Sequence, residues 1–205
     1  MRPTAGTPAL FIDRDGTIIA DAHYLNDASR VALLPTAVEA VRAANEAGVP
    51  VVIVTNQSGI ARGLITEAQY AATRDRTVAL LVNEGAQVLA TYHCPHWPEV
   101  TGPCDCRKPG LGMYREAARD HGLDLARSAF IGDRFRDVQP ALAVGGLGVF
   151  VPGVESPAKD VEQARSHAGR GVLIGAHLLD AVHHALAWIG RGASEPAADR
   201  ATRPG

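Results

Sequence analysis

The sequence predicts an α/β fold built on a parallel sheet. Two observations carry the prediction. Short apolar runs at residues 9–12, 49–54 and 129–132 alternate with segments of helical periodicity. The run at 49–54 is β-branched almost throughout, as in a central strand buried on both faces. Strand, helix and strand in that order imply a right-handed crossover between parallel neighbours.

The elements follow in order. Residues 9–12 are a first strand that runs into Asp13-Arg14-Asp15-Gly16-Thr17. Residues 18–26 form a loop carrying Asp21, His23 and Tyr24. Pro35 and Thr36 open a helix to residue 47, striped by Val38, Val41 and Ala44 and stopped by Gly48. The second strand ends in Thr55-Asn56-Gln57-Ser58-Gly59, and a glycine-punctuated loop with Arg62 follows. Thr66 to Gln69 has the form of a capping box and starts a helix to about Asn83. Residues 88–92 are a third strand leading into a cysteine loop, and residues 111–121 a helix ended by Gly122. The fourth strand, 129–132, finishes in Asp133-Arg134-Phe135-Arg136-Asp137. A short helix at 138–144 and a fifth strand at 147–151 come next. Residues 152–170 are polar and weakly patterned, and no site is placed there. A last strand at 172–174 and an amphipathic helix at 177–189 close the fold. Residues 1–8 read as a polar lead-in, 9–190 as the single domain, and 191–205, rich in Ala, Pro, Arg and Gly, as a disordered tail.

The length, 205 residues, suits one domain. A net charge of −2 gives no basic footprint for nucleic acid. No apolar stretch is long enough for a bilayer, and no charged-then-apolar leader precedes the first strand, so the cytoplasm is the expected location. The three cysteines all lie between residues 94 and 106. An odd, clustered set argues for a metal site rather than a disulfide framework.

Asp13 and Asp15, two residues apart in an extended segment, point the same way. One can bind a divalent cation and attack phosphorus while the other moves a proton. An Asp-Gly turn is the plainer alternative. The other strand ends decide between them, because ligands of parallel sheets sit beyond the carboxyl ends. There Asp13, Asp15 and Asp133 can offer oxygen ligands to Mg2+. Thr55 and the backbone N–H groups of Asn56, Gln57 and Ser58 can cradle a phosphate, with Lys108 adding a positive charge. Phosphoryl transfer asks mainly for such positioning and neutralisation. Asp137 suits a helix N-terminus and can also support the metal. Asp21, His23 and Tyr24 leave the same turn and form a lip towards substrate, the plainer alternative being a solvated connection.

Cys94, His96, Cys104 and Cys106 make a Cys3His set, the complement of a closed Zn2+ site. With no position left for water, the zinc is structural. Its task is to fold the 94–106 loop and to aim Arg107 and Lys108. His93 is an alternative fourth ligand made awkward by its adjacency to Cys94. Trp97 is expected to pack beneath this loop, with facing the substrate as the alternative. The remaining histidines are expected on helix surfaces.

Asp13-Arg14-Asp15-Gly16-Thr17, Thr55, Lys108 and Gly132-Asp133 with Asp137 resemble the four motifs of the haloacid dehalogenase superfamily. The strings from Thr55 to Gly63 and from Cys94 through Cys104-Asp105-Cys106-Arg107-Lys108-Pro109 narrow the resemblance to the branch of heptose-bisphosphate and histidinol-phosphate phosphatases. It covers about residues 9–151. It implies a Rossmann-like parallel sheet with helices on both faces and no large cap domain. It implies Asp13 as a nucleophile that forms an aspartyl-phosphate, and Asp15 as the acid and then the base. Mg2+ would be held by Asp13, the backbone carbonyl of Asp15, and Asp133. Thr55 and Lys108 would stabilise the phosphoryl group. Arg107 would recognise substrate, with Asp21, His23, Tyr24, Asn56, Gln57, Ser58 and Arg62 around it. Ile19, His23 and Trp97 depart from the branch, which has asparagine, glycine and histidine there.

The expected function is thus removal of the 7-phosphate from a heptose bisphosphate. The partner is a small phosphosugar, with no nucleic acid or membrane, and the chain acts as a monomer. Histidinol phosphate is the alternative substrate. A catalytically silent phosphosugar-binding or zinc-scaffold protein would lack one of Asp13, Asp15, Lys108 or Asp133, and all four are present.

Overall fold

The computed structural model describes residues 6–194. Its sheet runs β3-β2-β1-β4-β5-β6, with every neighbouring pair parallel. The strands are β1 (Leu10–Ile12), β2 (Val51–Asn56), β3 (Ala90–Cys94), β4 (Ala129–Gly132), β5 (Leu147–Phe150) and β6 (Val172–Ile174). The helices are α1 (Ala37–Glu46), α2 (Ser58–Ala61), α3 (Glu67–Asn83), α4 (Pro98–Thr101), α5 (Gly112–His121), α6 (Phe135–Val144), α7 (Ala158–Ser166) and α8 (Leu178–Ser194). This is the expected α/β architecture. Between β1 and α1 lies one 3-10 turn, Ala28–Arg30, and no inserted cap.

Alternation along the central strands sorts the core into two layers. Leu10, Ile12, Val51, Ile53, Ala129 and Ile131 face α1 and α8. Ala9, Phe11, Val52, Val54 and Phe130 face α5. Phe11, Tyr114 and Phe130 pack there with ring centroids 5.0–5.3 Å apart. Such edge-to-face and offset pairs add about 0.5–1.5 kcal/mol beyond the area they bury. Both faces are therefore covered, which is why these strands read as continuous apolar runs.

Several boundaries differ from expectation. The third strand lies two residues later, at Ala90–Cys94, because its register is set by pairing from Val52↔Ala90 to Asn56↔Cys94. Val88 instead packs against the core. Helix α6 begins three residues early, at Phe135, since Asp137 Oδ2 accepts from the Arg134 N–H (3.0 Å) and closes its first turn. Residues 152–170, expected to be featureless, contain α7. Helix α8 continues through Ser194, into the stretch expected as tail. Residues 1–5 and 195–205 lie outside the described residues. The capping box at Thr66 forms as expected: Gln69 N–H donates to Thr66 Oγ1 (3.1 Å) and Thr66 N–H to Gln69 Oε1 (2.8 Å). No described helix is long and apolar enough to cross a membrane.

Candidate active site

The sheet order reverses at β1, whose neighbours are β2 and β4. The carboxyl ends of these three strands carry Asp13, Thr55 and Asp133, so the acids and the hydroxyl meet in one crevice.

Asp13 continues β1 and is almost fully buried. Lys108 Nζ donates to Asp13 Oδ1 (2.6 Å) and to the Val54 carbonyl (2.7 Å), and lies 2.8 Å from Asp137 Oδ1. Burial alone would push the ammonium down, but the two carboxylates outweigh it and hold Lys108 charged above its ordinary value. Burial pushes the Asp13 carboxyl up to about 8, against the pull of Lys108 and with help from Asp137 and Asp133.

Asp15 turns away to a different set of partners. Arg14 grips it from Nε (3.2 Å) and Nη2 (2.9 Å). Thr55 Oγ1 donates to Asp15 Oδ2 at 3.0 Å and Gln57 Nε2 at 2.8 Å. Gln57 Nε2 also reaches Thr55 Oγ1 at 2.8 Å. Asn56 clamps the lysine's backbone: Lys108 N–H donates to Asn56 Oδ1 (3.0 Å) and Asn56 Nδ2 to the Lys108 carbonyl (3.3 Å). Gln57 and Asn56, expected as substrate contacts, thus also hold catalytic candidates in place.

Asp13, Asp133 and Asp137 bring carboxylate oxygens within 4.8 Å of one another. Burial drives Asp133 up to about 7, with Asp137 adding to it. Asp133 Oδ1 is buried without a hydrogen-bond partner. An unpaired oxygen in a cluster with too much negative charge fits a divalent cation. The Asp15 side chain stands outside this set, so any share it has in the metal falls to its backbone. Gly16 has φ +82°, and a Cβ there would lie 2.7 Å from Asp133 Oδ2, so only glycine lets the two turns close. Ser156 donates to the Asp133 carbonyl (2.6 Å), and the Phe135 N–H donates to Asp160 Oδ2 (3.2 Å). The segment without a predicted site therefore braces the acidic turn.

A cavity of about 290 Å³ opens above Asp13 and Asp15. Of the predicted contacts, Asp21, His23, Tyr24, Asn56, Gln57, Ser58 and Arg107 line it. Arg62 does not. It hydrogen-bonds the Tyr24 hydroxyl and lies over the Tyr24 and Trp97 rings, 5.3 and 5.4 Å from their centroids. Trp97 lines the cavity too, with Arg107 4.9 Å from its centroid, rather than packing in the core. His23 (φ 42°) and Tyr24 (φ 58°) are both left-handed, a strained pair at the lip.

Cys94, His96, Cys104 and Cys106 converge below this rim. Cys94 Sγ lies 3.7 Å from His96 Nδ1, 3.7 Å from Cys104 Sγ and 3.1 Å from Cys106 Sγ, and no disulfide forms. The edges of a tetrahedron with Zn–S of about 2.3 Å are close to 3.8 Å, so the donor set could hold zinc. His93 is turned away, stacked on Tyr70 at 4.2 Å and bonded to Glu67 at 3.3 Å.

A family model described as HAD-hydrolase-like matches residues 105–181, and one described as polynucleotide kinase 3 phosphatase matches residues 9–141. A D-glycero-beta-D-manno-heptose-1,7-bisphosphate 7-phosphatase from Yersinia pestis is 38% identical over 145 residues, covering 68% of this chain and 77% of the relative. One of the same name from Photorhabdus laumondii is 38% identical over 167 residues, 78% of this chain and 89% of the relative. This chain belongs to the heptose-bisphosphatase branch of the haloacid dehalogenase-like phosphatases. Among structures, the D,D-heptose 1,7-bisphosphate phosphatase of B. bronchiseptica, complexed with magnesium and phosphate, aligns with a TM-score of 0.77 at 32% identity. It covers 88% of this chain and 99% of that one.

Three members of this phosphatase's site escaped the sequence reading. Arg14 holds Asp15, while Arg134 and Arg136 line the cavity. Nothing local to the strand end singled out Arg14, whose burial is set by Tyr70 and Thr73 on α3.

Proposed function

We propose that this chain hydrolyses the 7-phosphate of D-glycero-D-manno-heptose 1,7-bisphosphate, with Mg2+ at Asp13, Asp133 and the backbone carbonyl of Asp15. The observation that carries the reading is Lys108, held between Asp13 and Asp137 while Asp15 stands apart on Arg14, Thr55 and Gln57. Two carboxylates in different environments suit different tasks.

In the first half-reaction an oxygen of Asp13 attacks phosphorus and the bond to the sugar oxygen breaks. Asp15, protonated, gives its proton to that leaving oxygen. In the second, Asp15 as carboxylate takes a proton from water. The resulting hydroxide attacks phosphorus, and the Asp13–phosphorus bond breaks to free phosphate. Arg14, Thr55 and Gln57 hold the Asp15 side chain in place for both proton transfers. Lys108 and Thr55 face the charge that develops on the phosphoryl oxygens. Bound magnesium supplies further neutralisation of those oxygens. Zn2+ at Cys94, His96, Cys104 and Cys106 fixes the loop that presents Arg107 and Lys108. The chain acts as a monomer in the cytoplasm on a small phosphosugar.

The test is phosphate release with Mg2+ from both anomers of the heptose bisphosphate and from histidinol phosphate. The names of the relatives favour the β-anomer. A kcat/KM higher for histidinol phosphate would keep the chemistry and overturn the substrate. No release from any of them would return the chain to the silent-scaffold reading.

A further inference from the structure

The cavity mouth carries three guanidinium groups, and they differ in how they are neutralised. Arg134 lies 3.3 Å from Asp133 Oδ2 and 3.9 Å from Asp21 Oδ2. Arg107 has the His96 carbonyl at 3.2 Å and the Trp97 ring, neither a carboxylate. Among the described residues the half-exposed Arg136 has one carboxylate in reach, Asp137 Oδ1 at 4.0 Å, an oxygen that already has Lys108 at 2.8 Å. Arg107 comes from the cysteine loop and Arg136 from the first turn of α6, so they approach the cavity from separate elements.

From this arrangement we infer that Arg136 and Arg107 form a two-arginine clamp for a second anionic group of the substrate, outside the reacting phosphate. The inference rests on the proposed bisphosphate substrate and adds a residue that sets specificity for it. Arg107 and Lys108 are adjacent but serve opposite ends: Lys108 turns down to Asp13, Arg107 up to the mouth. A substrate with one phosphate at Asp13 would place another anion between the guanidiniums. Both guanidiniums are cations lining one cavity, so they repel each other across it. A dianion between them removes that repulsion and accepts planar, bidentate bonds that suit arginine. The first turn of α6 adds the favourable field of a helix N-terminus.

The experiment compares heptose 1,7-bisphosphate with heptose 7-phosphate, which lacks the second anion, in the wild type, Arg136→Gln and Arg136→Lys. The clamp predicts that Arg136→Gln lowers the bisphosphate-to-monophosphate ratio of kcat/KM roughly tenfold or more, mainly through KM. Arg136→Lys should restore part of that preference. Equal losses on both sugars, or no loss, would overturn the clamp. If the wild type turns over neither sugar, the proposed function has failed and the clamp is read from binding by calorimetry. A bisphosphate that binds no tighter than the monophosphate then overturns it as well.

Discussion

Arg14 sits between the two aspartates, yet its side chain is one of the most buried in the molecule. It lies 5.2 Å from the centroid of Tyr70, bonds Thr73 Oγ1 (3.3 Å) and spends its charge on Asp15. A buried arginine is tolerable only with such a partner. Asp15→Asn keeps the shape but removes the charge and the acid. Phosphate release should fall by about 10² to 10⁴, and an unchanged rate would take Asp15 out of proton transfer. Gly132 offers a second test. A Cβ there would lie 2.4 Å from Asp137 Cβ. Gly132→Ala should cost about 1–3 kcal/mol of stability and lower kcat by displacing Asp137 from Lys108; a variant of wild-type Tm and kcat would show that the turn yields freely. Asp13, Asp15 and Asp133 were legible in sequence because phosphoryl transfer demands carboxylates at strand ends, and Lys108 because it follows the cysteine set in an Arg-Lys-Pro string. Arg14 was not, because its burial depends on Tyr70 and Thr73, more than fifty residues downstream. Trp97 was misjudged for a related reason: two arginines from different loops draw it to the rim.

Helix α3 and the cysteine loop show which elements the sequence specifies locally. The capping box at Thr66 needs only neighbours three residues apart, and it formed as read. Thr66→Ala should cost about 1 kcal/mol and lower Tm while leaving kcat/KM unchanged, since Thr66 is not among the residues lining the cavity and its side chain bonds Gln69. The loop is different, because it has almost no apolar core of its own. Cys104→Ser should reduce bound zinc, measured by elemental analysis, and reduce kcat/KM by releasing Arg107 and Lys108. Full zinc occupancy in that variant would exclude Cys104 as a ligand. The third strand shows the limit of local reading. Val88 and Leu89 are the apolar pair, yet register with β2 places the strand over Ala90–Cys94. Residues 152–170 gave little periodic signal because α7 fully buries only Ala164, with Val161 packed beside it, and Ser156 and Asp160 are tied to the acidic turn by polar bonds.

At the scale of the whole molecule, the acidic cluster couples stability to metal and pH. The folded chain holds the Asp13 and Asp133 carboxyls up at about 8 and about 7, against 3.8 for an unperturbed aspartate. Between these values the unfolded chain has released protons that the folded chain keeps. The metal-free protein should therefore lose stability as pH rises from 3.8 through about 7 and about 8, and then level off. Magnesium binds the ionised carboxylates, so the Tm gained on adding it should grow over the same window. A gain independent of pH would separate Asp13 and Asp133 from the metal. The strand order has a further consequence, for synthesis. β1 is completed on one side by β2 but on the other by β4, pairing Leu10 with Ala129 across 119 positions of chain. A nascent chain that has emerged as far as Pro109, just past the cysteine loop, already owns Asp13, Asp15, Thr55 and Lys108, yet lacks Asp133 and Asp137. Its reactive centre should stay inert on the ribosome until Asp133 and Asp137 have followed and β4 has paired with β1.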